Sequence, residues 1–283
     1  MAAQSSMNRS ELMKGARARG LVNTPGGFRR PLFVHLVEPH HIIVRRGGVS
    51  HLIDKNTGAL VEKPAAEAVG KDPADQAGGW STWATWNNQT GQPIRSIVTS
   101  WTVPAPPNSQ SGQLIYLFNG LQDPAGAEIL QPVLQWGTSG AGGGDFWSVA
   151  SWHVDSKHQA FCTPSVRVNP GDQVTGVMTQ VASFADGTHN YQCEFQGIAG
   201  TSLMALGLTA LTAAEQTLEA YGVSSLDQYP AAPATKMTQI GVELTSGPAQ
   251  VNWAANTMAN PLFGEHTDIV SNANPGGEVD LFY

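Results

Sequence analysis

Hydrophobic and polar residues alternate along most of the chain beyond residue 80, which is the pattern of half-buried β-strands. In the segment 94–103, Ile97, Trp101 and Val103 fall on one face, and serines and a threonine fall on the other. The proline cluster at 104–107 ends this strand, because proline cannot donate a hydrogen bond to a neighbouring strand. Similar patterns predict further strands at 113–119, 128–136, 146–154, 161–168, 173–181, 190–198, 237–244, 249–253 and 278–283.

Short strands at this spacing, separated by Gly, Pro, Asn and Asp, are typical of a β-sandwich or a β-barrel. We predict an all-β fold, an antiparallel two-sheet β-sandwich that is jelly-roll-like or concanavalin-like, with a basic N-terminal extension. The segment 209–221 is open between helix and strand, and we prefer strand. Either assignment brings Glu215 and Glu219 to one face.

The beginning of the chain differs from the rest in its pattern. It contains short predicted strands and turns, at 31–37, 41–44, 45–48 and 54–58. The stretch 61–79 is rich in Ala, Pro, Glu, Lys, Asp and Gly and has no sustained apolar period, which is typical of a linker. We therefore predict an arm over residues 1–71 and a sandwich domain over residues 72–283.

Charge separates the same two parts. Residues 1–71 carry 11 Lys and Arg against 5 Asp and Glu, whereas residues 72–283 carry 4 against 17. The arm is therefore net +6 and the domain net −13 at neutral pH. Such asymmetry indicates that the arm either meets an external anion or docks on its own acidic domain.

Composition excludes several classes of partner. The chain has 283 residues and a net charge of −7, whereas a nucleic-acid binder would normally be basic. No apolar stretch reaches the 18 or so residues that a membrane span requires. The first 30 residues lack a charged region followed by an apolar one, so no export signal is visible. We therefore expect no nucleic-acid partner and no membrane.

Common catalytic signatures are missing from the sequence. It contains no Gly-x-Ser-x-Gly elbow, no His-Glu-x-x-His pair and no phosphate-binding glycine loop followed by Lys. Cys162 and Cys193 lie on neighbouring predicted strands and could pair or remain free thiols. The arm histidines, at 35, 40, 41 and 51, have no nearby cysteine or good carboxylate set, so we expect no metal and no cofactor.

Two polar groups stand out on the predicted strands. Within 128–136, alternation assigns Ile129, Gln131, Val133 and Gln135 to one face and apolar residues to the other. Gln131 and Gln135 would then share a surface that could form a cleft.

The chain resembles the glutamic peptidases called eqolisins over about residues 80–283. The resemblance rests on segments that occur in the same order: Trp-Thr-Val-Pro (101–104), Gly120, Glu-Ile-Leu-Gln (128–131), the Trp-rich strand 147–152, Pro-Gly-Asp (170–172), and Ala-Glu (214–215) with Glu219. The catalytic glutamine of that family follows an Ile-Leu pair, and its glutamate follows Ala and precedes a second Glu by four residues. Gln131 and Glu215 match these two sites.

The resemblance implies an acid endopeptidase with a two-sheet β-sandwich and a polypeptide substrate. Glu215 would be the general base and acid, Gln131 would stabilise the oxyanion, and Glu219 is the reserve candidate. Eqolisins are made as precursors with a propeptide, a role that suits the basic arm. Family resemblance also implies secretion.

The sequence departs from the family around the expected cleft. Where the family has acidic side chains, this chain has Gln122 and Gln135, and Ser151 stands where a Glu would be. Fewer nearby carboxylates would raise the pKa of Glu215 less and move the working pH, or could accompany lost activity. Trp147 and Trp152 are further candidates for the supporting part of the site.

A binding protein without enzymatic activity is the alternative. A β-sandwich lectin could use aromatic and amide side chains on the same concave face, and the low charge and many Asn and Gln residues suit it equally well. Of Trp83, Trp86, Trp101, Trp147 and Trp152, most would be core residues in a sandwich. Gln131 would then be one exposed glutamine among many, and Glu215 a solvated carboxylate.

Overall fold

The fold is given by a computed structural model that describes residues 9–62 and 78–283, so the predicted boundary after residue 71 lies outside the described residues. The N-terminal arm contains helix α1 (Arg9–Ala18) and six strands: β1 (Val22–Thr24), β2 (Gly27–Arg29), β3 (Val34–Leu36), β4 (His41–Arg46), β5 (Val49–Asp54) and β6 (Leu60–Glu62). Two short 3₁₀ turns lie at Pro31–Phe33 and Leu226–Gln228.

The rest of the described chain is built of strands. They are β7 (Gly78–Asn87), β8 (Ile94–Thr102), β9 (Leu114–Gln122), β10 (Ile129–Ser139), β11 (Gly142–Val154), β12 (Ala160–Cys162), β13 (Val166–Arg167), β14 (Gln173–Ser183), β15 (His189–Phe195), β16 (Leu203–Leu208), β17 (Ala213–Tyr221), β18 (Ala234–Leu244), β19 (Gly247–Pro248), β20 (Ala254–Thr257), β21 (Thr267–Ser271) and β22 (Gly277–Phe282).

These strands form two large sheets that pack as a sandwich, which confirms the predicted all-β fold. Sheet I has the order β20-β7-β17-β9-β10-β11-β12-β3, with β13 beside β11. Sheet II has the order β21-β22-β18-β8-β14-β15-β16-β4-β5-β6, with β19 beside β18. The strands of the domain pair antiparallel with one another, as predicted.

The main core lies between the two sheets. Leu117 and Leu134 of sheet I meet Trp101 and Met178 of sheet II in one buried cluster. Polar side chains also form hydrogen bonds across the interface between the sheets. The Asn119 side-chain amide donates to a backbone carbonyl of β14 at 3.1 Å. Buried amides with fixed partners help to specify how the two sheets align.

The arm joins the edge of each sheet. Strand β3 pairs parallel with β12 at the edge of sheet I, and β4 pairs parallel with β16 at the edge of sheet II. Val37, Ile43 and Leu52 of the arm are buried in the main core. This half of the arm covers strand edges that would otherwise expose unpaired backbone groups.

The first half of the arm covers the outer face of sheet I, the face turned away from sheet II. Met13, Ala16 and Phe28 are buried against this face. Their partners on the sheet are mainly aromatic and aliphatic side chains, including Leu114, Tyr116, Phe118, Val133, Trp152 and Tyr221. Sheet I is consequently covered on both faces, unlike a sandwich sheet with one solvated face.

Most predicted strands are present, with a few differences. The segment 209–221 is a strand from Ala213 onward, as preferred. The expected strand at 249–253 is wrong, because this stretch is irregular between β19 and β20. Within 31–37, Pro31–Phe33 is a 3₁₀ turn, since proline fixes its own φ near the helical value.

Helical structure plays a small part in this fold. In the parts of the chain that the structure describes, no helix has the length and apolar character needed to cross a membrane.

Candidate functional site

Gln131 lies on the outer face of sheet I. On β10 the apolar residues Leu130 and Leu134 point into the main core, whereas Val133 packs in the outer cluster. Side chains alternate along a strand, so Gln131 and Gln135 lie on the outer face with Val133. This is the division that the sequence pattern predicted.

Glu215 lies on the same outer face, two strands away. Its neighbour Ala214 and the residue Leu218 point into the main core, so alternation turns Glu215 outward. On the intervening strand β9, Glu215 pairs with Gly120. The residue pairs between β9 and β10 that flank this position set the register of the two strands. In that register Gln131 of β10 lies opposite Gly120, on the other side of β9 from Glu215.

Gly120 leaves open the space between the two polar side chains. A Cβ atom there would lie 3.6 Å from Cβ of Glu215 and 3.1 Å from Cδ1 of Ile129. With neighbouring strands about 4.8 Å apart, the Cα atoms of Gln131 and Glu215 are separated by about 9.6 Å. Two long side chains can converge across this gap because the middle residue has no side chain.

Burial governs the electrostatics of Glu215. The residue is 2% exposed, and burial raises the pKa of its carboxyl to about 8. The Thr85 hydroxyl, on β7, donates to Glu215 Oε2 at 2.6 Å and opposes this rise. Thr85 therefore fixes the direction of the carboxyl while burial keeps it protonated at neutral pH.

Gln131 is as deeply buried, at 1% exposure. Its amide oxygen has no hydrogen-bond partner among the described residues, and neither has the indole N–H of Trp152, which pairs with Gln131 across β10 and β11. An unsatisfied buried polar group costs about 1–3 kcal/mol. Two such groups side by side mark a place where a polar ligand would gain hydrogen bonds.

Glu219, the reserve candidate, is held by the arm. Its Oε1 accepts hydrogen bonds from the Tyr221 hydroxyl at 2.6 Å and from the Gly26 backbone N–H at 2.9 Å. Close by, the Tyr116 hydroxyl donates to Asn23 Oδ1 at 2.6 Å. The β1–β2 hairpin of the arm is therefore hydrogen-bonded to the same face of sheet I that carries Gln131 and Glu215.

A cavity of about 260 Å³ lies between this hairpin and the site. Arm and sheet both line it, through Pro25, Gly26, Arg29, Trp80, Gln122, Ile129 and Gln131. The Arg29 side chain donates from Nε to the His158 backbone carbonyl at 2.9 Å. Gln131 consequently faces a space that the arm closes.

The other candidates divide between the site and the structural core. Gln122 lines the cavity, and Trp152 lies on the outer face. Gln135 instead holds the turn after its own strand, donating to the carbonyl of Gly142 at 2.9 Å. Trp147 packs against Trp136 in the main core, so we do not retain it as a site residue.

Sequence reasoning missed Thr85 as a partner of Glu215, because it lies 130 residues away and carries no motif of its own. Of the tryptophans considered for a cleft, Trp86 and Trp101 are core residues. Trp83 is partly exposed and contacts Trp80, with ring centroids 5.6 Å apart.

Both cysteines are buried free thiols. Burial raises the pKa of Cys193 to about 12 and raises the pKa of Cys162 further. A thiol in such a site stays protonated and is a poor nucleophile. Among the described residues, the group of His, Cys, Asp and Glu side chains compact enough for a metal ion is on the arm, at His40, His41 and Asp54.

No protein-family model matches the sequence, and no curated protein matches it. Three of the matching solved structures each cover 73% of this chain with 99% of their own. The first is scytalido-glutamic peptidase with a peptide-based transition state analog, at 15% identity and a TM-score of 0.48. The second is the same peptidase with a transition state analog inhibitor, at 12% identity and a TM-score of 0.48. The third is SCP-B, a member of the eqolisin family of peptidases, in a complex with the tripeptide Ala-Ile-His, at 15% identity and a TM-score of 0.44. The fold of this chain resembles that of these peptidases.

The raised pKa of Glu215 makes the stability of the protein depend on pH. A carboxyl that is protonated in the folded state stabilises it fully below its usual pKa of 4.5, and this contribution is lost as the pH rises through about 8. Glu215→Gln cannot ionise. As the pH rises from 4.5 to about 8, the free energy of unfolding of wild type should fall. We expect this fall to be smaller in Glu215→Gln, by on the order of 4 kcal/mol.

Urea unfolding of both proteins at several pH values measures the difference. Glu243→Gln, at an exposed glutamate, is the matched control and should follow wild type. Parallel pH profiles for Glu215→Gln and wild type would contradict the buried, protonated carboxyl.

Proposed function

We propose that this chain is an endopeptidase in which Glu215 and Gln131 act together on a peptide bond. The observation that supports it most directly is the row Gln131–Gly120–Glu215, in which an amide and a carboxyl face one gap on the outer side of sheet I. The likeness of fold to glutamic peptidases is consistent with the proposal.

The reaction is hydrolysis by an activated water. The ionised Glu215 carboxylate takes a proton from water, and the water oxygen bonds to the substrate carbonyl carbon. The Gln131 amide N–H donates to the oxyanion that develops. The protonated Glu215 then returns its proton to the amide nitrogen as the C–N bond breaks, leaving a carboxyl and an amine.

The residue types suit these tasks. A carboxyl accepts and returns one proton, whereas an amide donates a hydrogen bond without changing charge at any pH. The Thr85 hydroxyl would orient the carboxyl by its 2.6 Å hydrogen bond. The mechanism requires no metal or organic cofactor. It does require Glu215 to ionise, so its burial must be relieved before catalysis.

The arm would provide that control. Gln131 and Glu215 are 1% and 2% exposed, so a polypeptide cannot reach them in this state, and Gln131 lines the cavity that the β1–β2 hairpin closes. We propose that the arm is an inhibitory propeptide segment, of which helix α1 and this hairpin are the covering part. Movement of the covering part would admit water and substrate together and lower the pKa of Glu215 toward its usual value.

An ion pair between strand β4 of the arm and the domain makes the attachment of the arm sensitive to pH. Arg45 of the arm donates to Glu128 Oε2 at 2.8 Å, and Glu128 is 1% exposed. His153 Nε2 lies 3.4 Å from the other carboxylate oxygen. Burial lowers the pKa of His153, and Arg45 also lowers it, while Glu128 and Asp155 raise it.

Acid would weaken the pair through His153. Protonation of this imidazole brings a second cation beside the Arg45 guanidinium, and burial keeps it neutral in the folded protein to a lower pH than usual. The stability that the neutral imidazole contributes is present at neutral pH and is lost as the pH falls.

Hydrolysis of a denatured protein substrate at about pH 2–7 tests the catalytic pair. We expect Glu215→Gln to lose roughly 10²–10⁴-fold in kcat and Gln131→Ala roughly 10²–10³-fold, the usual worth of a general base and of an oxyanion donor. Glu243→Gln, on an exposed strand position, should retain wild-type activity. Equal activity in all four proteins would show that Glu215 and Gln131 do not form the catalytic pair. Glycan binding without hydrolysis would favour a lectin.

Acid treatment of the full chain tests the arm. At about pH 3.5, where exposed carboxylates begin to protonate, we expect wild type to lose roughly its first 60–70 residues, as read by N-terminal sequencing and mass. Glu215→Gln should remain full length under the same conditions, because it cannot perform the cut. If wild type remains intact while it hydrolyses added substrate, the arm is a permanent part of the fold.

A further inference from the structure

The open end of the β4–β5 hairpin brings three metal-binding side chains together. His41 pairs directly with Asp54 across the two strands, and His40 precedes β4. One ligand atom from each of His40, His41 and Asp54 lies within 4.8 Å of the others. A carboxylate partner for these histidines could not be predicted from the sequence, because Asp54 becomes their neighbour only through the register of the hairpin.

Asp54 is oriented by the turn that follows β5. Its Oδ1 accepts hydrogen bonds from the backbone N–H groups of Asn56 and Thr57, each at 2.9 Å, and from the Thr57 hydroxyl at 3.1 Å. These bonds, that of the Thr57 N–H first, lower the pKa of Asp54. The second oxygen, Oδ2, lies 3.7 Å from His40 Nε2.

The two histidines are close to each other as well. Their ring centroids are 4.2 Å apart. A surface ion pair between His40 and Asp54 would account for one imidazole and one carboxylate, and it would contribute little in water. The second imidazole, that of His41, packs beside the first and accepts a hydrogen bond at Nδ1 from the exposed Glu38 backbone, so the ion pair does not account for its place in the cluster.

We propose that His40, His41 and Asp54 bind one divalent transition-metal ion of the Zn²⁺ type. Ligands about 2.0–2.1 Å from a tetrahedral zinc ion are about 3.3 Å apart, so the 3.7 Å between His40 and Asp54 requires only a small adjustment. Imidazole nitrogens favour zinc, copper or nickel over calcium and magnesium, which prefer sets of oxygen atoms. Water completes the coordination of this exposed site.

The proposed role of this metal site is structural and not catalytic. The bound ion would help to hold the arm on the domain. A metal ion there would join the start of β4 to the end of β5, and β4 is the strand that pairs with β16 of sheet II. A ligand that binds the folded state alone stabilises it by mass action. The attachment of the arm to the domain would therefore depend on the metal ion.

Binding also has an identifiable structural cost. The backbone N–H of Glu38 donates to Nδ1 of His41 at 3.3 Å. This hydrogen bond needs a lone pair on Nδ1, and metal binding at either ring nitrogen removes it, either directly or by moving the ring proton. The Glu38 amide is exposed and can bond to water instead, so its NMR signal would report the change.

Calorimetric titration with Zn²⁺ alone tests the site. The titration uses the full chain without an affinity tag, at about pH 7.5, where free imidazole is neutral. We expect one equivalent to bind to wild type, with a rise in Tm and a shift of the Glu38 amide. His40→Ala and Asp54→Asn should each weaken binding by at least about tenfold. Asp54→Asn keeps the Oδ1 acceptor of the turn, and His51→Ala, on the same hairpin, is the matched control.

Each result decides the proposal. Binding of Zn²⁺ by wild type and His51→Ala, with weakening in the other two variants and no effect of Ca²⁺, would support it. Absence of Zn²⁺ binding to wild type would overturn it. Unchanged affinity in Asp54→Asn, or equal loss in His51→Ala, would also overturn it, because the ion would then be held elsewhere.

Discussion

The register of three adjacent strands in sheet I is the constraint on which the candidate site depends. Strands β10, β9 and β17 bring Gln131, Gly120 and Glu215 into one row. Side chains alternate with a period of two, so a slip of one residue in either pairing would send one polar group into the core. The inner faces prevent such a slip, because Leu130, Leu134 and Leu218 fill the space between the sheets.

The arm combines two structural tasks. Its second half completes both sheets and contributes Ile43 to the core, so it is built into the fold. Its first half lies over the outer face, and in the described chain β1 and β2 pair with each other rather than with a strand of either large sheet. A segment held this way can separate at less cost than the strands behind it. Closure of the site and integrity of the sandwich are therefore served by different parts of the same arm.

Most of the β-strands, and the division of their residues between two faces, could be predicted from the sequence. The faces of 128–136 followed from alternation alone, which holds wherever one face is buried. The partners across the sheet could not be predicted, since pairing joins residues as distant as Thr85 and Glu215. The burial of Glu215, at 2% exposure, was not predicted, because the sequence pattern does not show that the arm packs on the outer face of sheet I. Trp147 was misassigned because tryptophan suits a cleft and a core equally well.

The most direct test of the account is the activity of Gly120→Ala. Its backbone is compatible with alanine, which is typically favoured over glycine in a strand by about 0.5–1 kcal/mol. This gain offsets the close contact of 3.1 Å between the new Cβ and Cδ1 of Ile129, the end of a flexible side chain, so the free energy of unfolding should change little. The added methyl group would stand between Gln131 and Glu215, 3.6 Å from Cβ of the latter. We expect hydrolysis of a denatured substrate to fall by at least about tenfold, because small displacements of reacting groups cost large factors in rate. Wild-type activity in this variant would contradict a catalytic pair that converges across Gly120.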